Sequence, residues 1–223
     1  YTGVASNQVL PATHGVWIPS GTGKVDVASD RELRLEGPVG GAGTLMKIGG
    51  GPLLLRGGFD GDRMVVSAGS VRMSAQMTKP VSVLSGASFG YQLTNSPVTA
   101  GSLIPAGSTF ASGSLIALDA SEAPEQFLQV DGVFSDQDGS SVGLSKLNAG
   151  TVLLTGASTY TGETRISGGT LRIGSFPFND EASPIGSAST NTAAKLTFAG
   201  GTLEYAGLAD AVTYRLFTRT SGL

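Results

Sequence analysis

The chain reads as an all-β protein, a right-handed parallel β-helix (β-solenoid) built from short strands with glycine corners. Three observations predict it: a long segment recurs within the chain, strand-type alternation runs from end to end, and helical periodicity is nearly absent. No window of the sequence holds an i, i+3, i+4, i+7 apolar stripe for three turns. The right hand follows the general chirality of parallel crossovers.

The recurrence is clearest at residues 146–174. Lys47-Ile48-Gly49-Gly50-Gly51-Pro52-Leu53-Leu54-Leu55-Arg56-Gly57 aligns with Lys146 to Gly156, 99 positions on. Ser67-Ala68-Gly69-Ser70-Val71-Arg72-Met73 aligns with Ser167 to Ile173, 100 positions on, so the loop between differs by one residue. A third, shorter copy is Leu196-Thr197-Phe198-Ala199-Gly200-Gly201-Thr202-Leu203-Glu204-Tyr205. A unit that cannot bury its own apolar face must stack on a neighbour, which makes repetition a strong solenoid signal.

Strands follow from alternation. Val25-Asp26-Val27, Leu33-Arg34-Leu35, Val81-Ser82-Val83, Leu128-Gln129-Val130, Leu171-Arg172-Ile173, Leu196-Thr197-Phe198 and Leu203-Glu204-Tyr205 place one row of side chains inward and one outward. They are three to five residues long and are separated by Gly-Gly, Ala-Gly or Ser-Gly, where glycine supplies the positive φ of a corner. Leu153 to Leu171 is taken as one turn of 18 residues, and Leu171 to Leu203 as one turn plus a loop insert at 175–192. Turns of about 20 residues would number about ten, forming a rod of about 50 Å. An antiparallel sandwich would need Asn-Gly or Asp-Gly hairpins. Only Asp60-Gly61, Asp131-Gly132 and Asp138-Gly139 occur, none at a Gly-Gly corner. The expected organisation is a single solenoid over 1–223, with repeat copies near 45–73, 144–174 and 194–207.

Composition narrows the function. Of 223 residues 34 are glycine and only 14% are charged, so Ser, Thr, Asn and Gly supply the polarity, as in extracellular β-proteins. The net charge of −3, with no basic block, argues against nucleic acid. No apolar run reaches the ~18 residues of a membrane helix, so membrane insertion by this segment is not expected. No signal peptide opens the chain, and both ends read as cuts through a longer one. Cysteine is absent, as a continuous solenoid core permits.

These residues resemble the autotransporter-associated β-strand repeat (passenger-associated repeat) of autotransporter-type surface proteins. The resemblance rests on Leu144, Lys146, Gly150, Gly156, Thr159-Tyr160-Thr161-Gly162, Thr164, Gly169-Thr170-Leu171 and Gly174. Ser158 stands where Asn is usual, and the copy at 45–73 has Phe59-Asp60-Gly61-Asp62 in place of the Tyr-Thr-Gly element. The resemblance implies a parallel β-helix, export across the outer membrane and display at the cell surface.

Chemistry-bearing residues are sparse. His14, the single histidine, has no Gly-x-Ser-x-Gly elbow to serve and reads as a loop residue. Asp131, Asp136 and Asp138 suggest the front of a calcium loop, but position 147 is Leu where a bidentate Glu is needed, so a solvated turn is expected. Asp60 and Asp62 lack the basic and aromatic company of a glycosidase cleft and also read as a turn. Tyr160 is expected to pack at a coil edge and Trp17 in the core. Phe176 and Phe178, stiffened by Pro177 and Pro184, belong to the insert, which either binds a ligand or caps an opening in the stack. No catalytic residue, metal ligand or cofactor is expected, and the chain is not read as an enzyme. The expected role is a structural stalk or display region. The alternatives are an adhesin whose loops contact a host surface or glycan, and a unit that stacks head to tail into filaments.

Overall fold

A computed structural model describes residues 8–176, 178, 180–187 and 195–220. The described residues form twenty-one strands in chain order. The first seven are β1 (Gln8–Leu10), β2 (Val16–Trp17), β3 (Thr22–Asp26), β4 (Leu33–Leu35), β5 (Val39–Ile48), β6 (Pro52–Leu55) and β7 (Phe59–Val66). Next come β8 (Ser70–Met73), β9 (Val81–Val83), β10 (Ser88–Gln92), β11 (Val98–Thr99), β12 (Thr109–Phe110), β13 (Leu115–Asp119) and β14 (Phe127–Asp131). The last are β15 (Gly143–Leu147), β16 (Thr151–Leu154), β17 (Thr164–Ile166), β18 (Thr170–Ile173), β19 (Leu196–Phe198), β20 (Thr202–Tyr205) and β21 (Thr218–Arg219). Among the described residues the only helical segments are single 3-10 turns at Ala100–Leu103 and Pro124–Gln126.

The strands make three parallel sheets, so the all-β, solenoid-like expectation holds. A ten-stranded sheet runs β1-β4-β6-β8-β10-β13-β15-β17-β19-β21. A six-stranded sheet runs β12-β9-β7-β5-β2, with β3 also on β5, and a five-stranded sheet runs β11-β14-β16-β18-β20. Up to β10 the chain shuttles between the six- and ten-stranded sheets. From β13 onward it shuttles between the ten- and five-stranded sheets. The ten-stranded sheet is therefore the common spine.

The spine's inward rows explain why these residues stack. One row is Leu33, Leu53, Val71, Phe89, Ile116, Leu144, Thr164, Leu196, and the other is Leu35, Leu55, Met73, Tyr91, Leu118, Lys146, Ile166, Phe198. Each side chain sits on its counterpart one strand away, so apolar residues at matched positions bury one another. Phe89 and Tyr91 add an edge-to-face contact, centroids 5.4 Å apart.

Three expectations are corrected. Trp17 is not core: its side chain lies on the outer face of β2, 73% exposed, because strand alternation puts Val16 and Ile18 inward instead. Leu153 pairs with Arg172, and Leu171 with Val152, so the matched turn is 19 residues rather than 18. Inward-outward alternation also fails along the spine, where Leu54, Arg72, Ser145 and Asp119 are as buried as their inward neighbours.

Ion pairing explains this last departure. Arg72 on β8 reaches Asp119 on β13 (Nη1 to Oδ2, 2.6 Å), crossing Gly90 of the intervening strand, and it also donates to Glu32. No side chain fits at Gly90, where a Cβ would collide with the Ala117 carbonyl of the next strand. Asp119 also accepts from Ser121 N (3.0 Å) and Asn148 Nδ2 (2.6 Å). Arg56 ties the overlying turn down through Glu122. A buried carboxylate is tolerated only when its lone pairs are taken in this way.

Asp119→Ala would strand Arg72 with one partner and is expected to lower stability by about 3–5 kcal/mol. The double substitution Arg72→Met with Asp119→Leu should recover most of that loss. Urea denaturation followed by circular dichroism measures both.

Candidate functional site

The recurring local device is a corner with a lysine beneath it. Lys47 is the penultimate residue of β5 and Lys146 of β15, each the last inward position before the chain turns. Both side chains are fully buried in otherwise apolar rows, Lys47 between Val25 and Val66 and Lys146 between Leu118 and Ile166. Their ammonium groups end under the corner carbonyls. Lys146 Nζ donates to the carbonyls of Leu147 (2.6 Å), Asn148 (2.8 Å), Ala149 (3.3 Å) and, on the following turn, Gly168 (3.2 Å). Lys47 Nζ donates to Ile48 (2.7 Å), Gly49 (2.7 Å) and, on the following turn, Ala68 (3.2 Å).

A sharp corner points carbonyls into the core, where water cannot reach them, and an unpartnered buried carbonyl costs about 1–3 kcal/mol. One ammonium satisfies three or four of them and links two successive turns. The geometry demands left-handed backbone at Gly49 (φ 75°), Gly69 (φ 67°), Asn148 (φ 53°), Gly150 (φ 81°) and Gly169 (φ 57°). At Gly169 a Cβ would press on the Gly150 carbonyl and lie 2.7 Å from Lys146 Nζ, so glycine is required by space as well as by φ.

The two lysine corners lie between different sheets. Lys47 turns the chain from the six-stranded sheet to the spine, and Lys146 turns it from the spine to the five-stranded sheet. The repeated unit is thus the corner and its flanking strands, independent of which sheets it joins.

Burial pushes both ammonium groups down to about 8, the nearby carboxylates of Asp26 (for Lys47) and Asp119 (for Lys146) partly opposing it. Neither lysine has an exposed nucleophilic atom, and each ammonium is taken up by backbone carbonyls. Their chemistry is therefore that of hydrogen-bond pegs.

The other residues singled out in the sequence lie apart. His14 is exposed, with Nδ1 3.0 Å from Thr13 Oγ1. Asp60 and Asp62 are exposed on strand β7 rather than in a turn, and Asp60 pairs with Lys79 at 3.5 Å. Asp131 closes β14 and accepts from Thr155 Oγ1 (2.8 Å) and Gln129 Nε2 (2.9 Å). Asp136 is no free turn residue: it accepts from Val142 N and Thr161 N (both 3.0 Å) and Thr161 Oγ1 (2.7 Å), bracing one turn to the next. Asp138 takes a positive φ of 48° beside the Gln137–Ser140 bridge. Among the described residues no three His, Cys, Asp or Glu side chains converge to hold a metal.

Tyr160 is buried, its hydroxyl 2.6 Å from Thr164 Oγ1, and burial raises its pKa well above the ordinary phenol range. The described part of the insert folds over it. Ser183 bridges Ser158, Ile185 enters the core, and its carbonyl accepts from Thr164 Oγ1 (3.1 Å) and Arg215 Nη1 (2.6 Å). Desolvation lowers the pKa of Arg215, which also donates to the Gly186 carbonyl (3.0 Å). Phe176 packs against the core, and Phe178 is exposed against Tyr214, centroids 5.0 Å apart. Pro177 lies outside the described residues. Sequence reading missed the lysine pegs and the Arg72–Asp119 pair. The recurrence of Lys47 and Lys146 at matched positions was the available signal for the former.

Residues 144–173 match the Passenger-associated-transport-repeat family. Over 159 residues, 69% of this chain, the sequence is 30% identical to the Adhesin BmaC autotransporter of Brucella suis biovar 1 (strain 1330). The matched region is 4% of that protein's length. No solved structure matches. No helix among the described residues is long and apolar enough to cross a membrane, which leaves β-barrel spans unaddressed.

Gly169→Ala is expected to cost about 3–4 kcal/mol through strained φ and the crowded cage. Gly86→Ala, with positive φ (76°) but open space, should cost only about 1–2 kcal/mol. Chemical denaturation of the two variants tests the difference. The lysines give a pH signature. Their folded pKa of about 8 lies below the ordinary 10.5, so between those values the unfolded chain binds more protons. Stability should therefore rise as pH goes from about 8 to 10.5, by about 1 kcal/mol or more per lysine. A Lys47→Met, Lys146→Met double variant should lose that rise in the same pH-resolved denaturation series.

Proposed function

This chain carries a passenger-associated-transport repeat, and from that premise we propose that it is a stalk segment of an exported, surface-displayed passenger, coiled as a right-handed parallel β-helix over 1–223. The observation that carries the reading is the uninterrupted ten-stranded parallel spine among the described residues, with a lysine-pegged corner in the two longer repeat copies. Such a structure gains stability from contacts between successive turns. It can therefore add turns as the chain emerges from a pore and can hold attached elements away from a surface. Low charge and the absence of cysteine fit an extracellular setting reached by threading. The right hand rests on the general preference of parallel crossovers.

A second reading, end-to-end association, draws on one observation. Leu208, Val212, Tyr214, Leu216 and Phe217 near β20 and β21 are exposed, more apolar surface than isolated side chains usually present. An adhesive role, as the name of the Brucella suis relative gives for that protein, would use the outer faces and loops of the same scaffold.

Negative-stain electron microscopy over a concentration series tests the proposal. Discrete rods of about 40–50 Å at every concentration are expected. Long fibres would favour end-to-end assembly, and rounded particles with no axis would overturn the stalk reading.

A further inference from the structure

The outer face of the six-stranded sheet carries a feature that a spacer does not need. Trp17 on β2, Gly40 on β5 and Asp60 on β7 are paired in register across three adjacent strands. Trp17 is the chain's single tryptophan and stands largely in solvent. Its ring lies against the bare backbone of Gly40, where a Cβ would sit 3.4 Å from the ring carbon Cζ3. Together with Gly15, Gly58 and the half-buried Phe59, these residues line an open groove of about 510 Å³. At its far side the Asp60 carboxylate is exposed and 3.5 Å from Lys79 Nζ.

We propose that this groove binds a neutral glycan of about two sugar rings. Each component matches that chemistry. A pyranose presents an apolar face of C–H groups that stacks on an indole face, and Gly40 beneath the ring adds no side chain to compete for it. The rim offers an acceptor and a donor side by side, the Asp60 carboxylate and the Lys79 ammonium, which suit the paired hydroxyls of a sugar. Their charges cancel, so an anionic ligand gains nothing over a neutral one. Two strand spacings separate Trp17 from Asp60, about 10 Å, the length of a disaccharide. A protein partner is the weaker fit. A hot-spot aromatic normally sits inside a wide exposed apolar patch, whereas Val16, Val39 and Phe59 beside Trp17 are buried or half-buried and only Pro38 joins it in solvent. The inference does not rest on the stalk reading: rods without sugar binding, or sugar binding without rods, would separate the two.

The single tryptophan makes the test direct. Trp17 emission of the full chain is recorded while maltotetraose, cellotetraose or chitotetraose is added up to 10 mM. The expected result is a saturable change with at least one, half-complete between about 10 μM and 1 mM, as suits a shallow site. Asp60→Ala, at an exposed position, should weaken it about tenfold while leaving the far-ultraviolet spectrum unchanged. Trp17→Ala should abolish retention on beads bearing the same sugar. No saturable response to any of the three, or an undiminished one in Asp60→Ala, would overturn the proposal. So would a blue shift that grows with protein concentration and needs no sugar, which would assign Trp17 to a contact between copies.

Discussion

The structure depends on satisfying the carbonyls at its corners. A parallel stack has no hairpins. Each turn must change direction sharply, and at the Lys47 and Lys146 corners this aims peptide oxygens at buried ammonium groups. At two equivalent corners the chain answers with an inward lysine whose ammonium takes three or four carbonyls from its own turn and the next. The same ammonium would be out of place in an apolar row without those acceptors. Corner and lysine therefore stand together, and the left-handed glycines that let them approach complete the set.

A second polar system stiffens the outside of the spine. Arg72 crosses the side-chain-free Gly90 to reach Asp119, and Asn148 joins this system to the lysine corner. The Asn148 side chain donates outward to Asp119 while its carbonyl accepts from Lys146 inward. Both faces of the same strands are thus buried, one by apolar stacking and one by paired charges. Arg72, Asp119 and Asn148 thus tie together four successive spine strands, β8, β10, β13 and β15, rather than neighbours alone.

These constraints leave the outer face of the six-stranded sheet free. The strands are held by inward rows and corners, so an outward position such as Trp17 or Asp60 can change without loss of the ladder. A spacer and a recognition surface are therefore compatible in one segment, with the register of the sheet setting the distance between recognition groups. The sequence match to an autotransporter adhesin spans a small part of that protein.

The sequence by itself determined the all-β class, the parallel repeat and the strand positions, because period-two alternation and glycine spacing are local properties that each strand writes into its own residues. It also aligned Lys47 with Lys146 in one repeated setting, but their part as pegs beneath the corners showed only in the folded chain. Tertiary structure alone decided the rest. Which sheets each repeat joins depends on how turns stack, so one motif links two sheets early in the chain and a different pair later. Arg72 and Asp119 are 47 positions apart and meet only because Gly90 stands between them in the stacked spine. The reading of Trp17 as core failed for the same reason. An apolar residue in a short strand goes in or out by a one-residue phase, and that phase is set by the strand it pairs with.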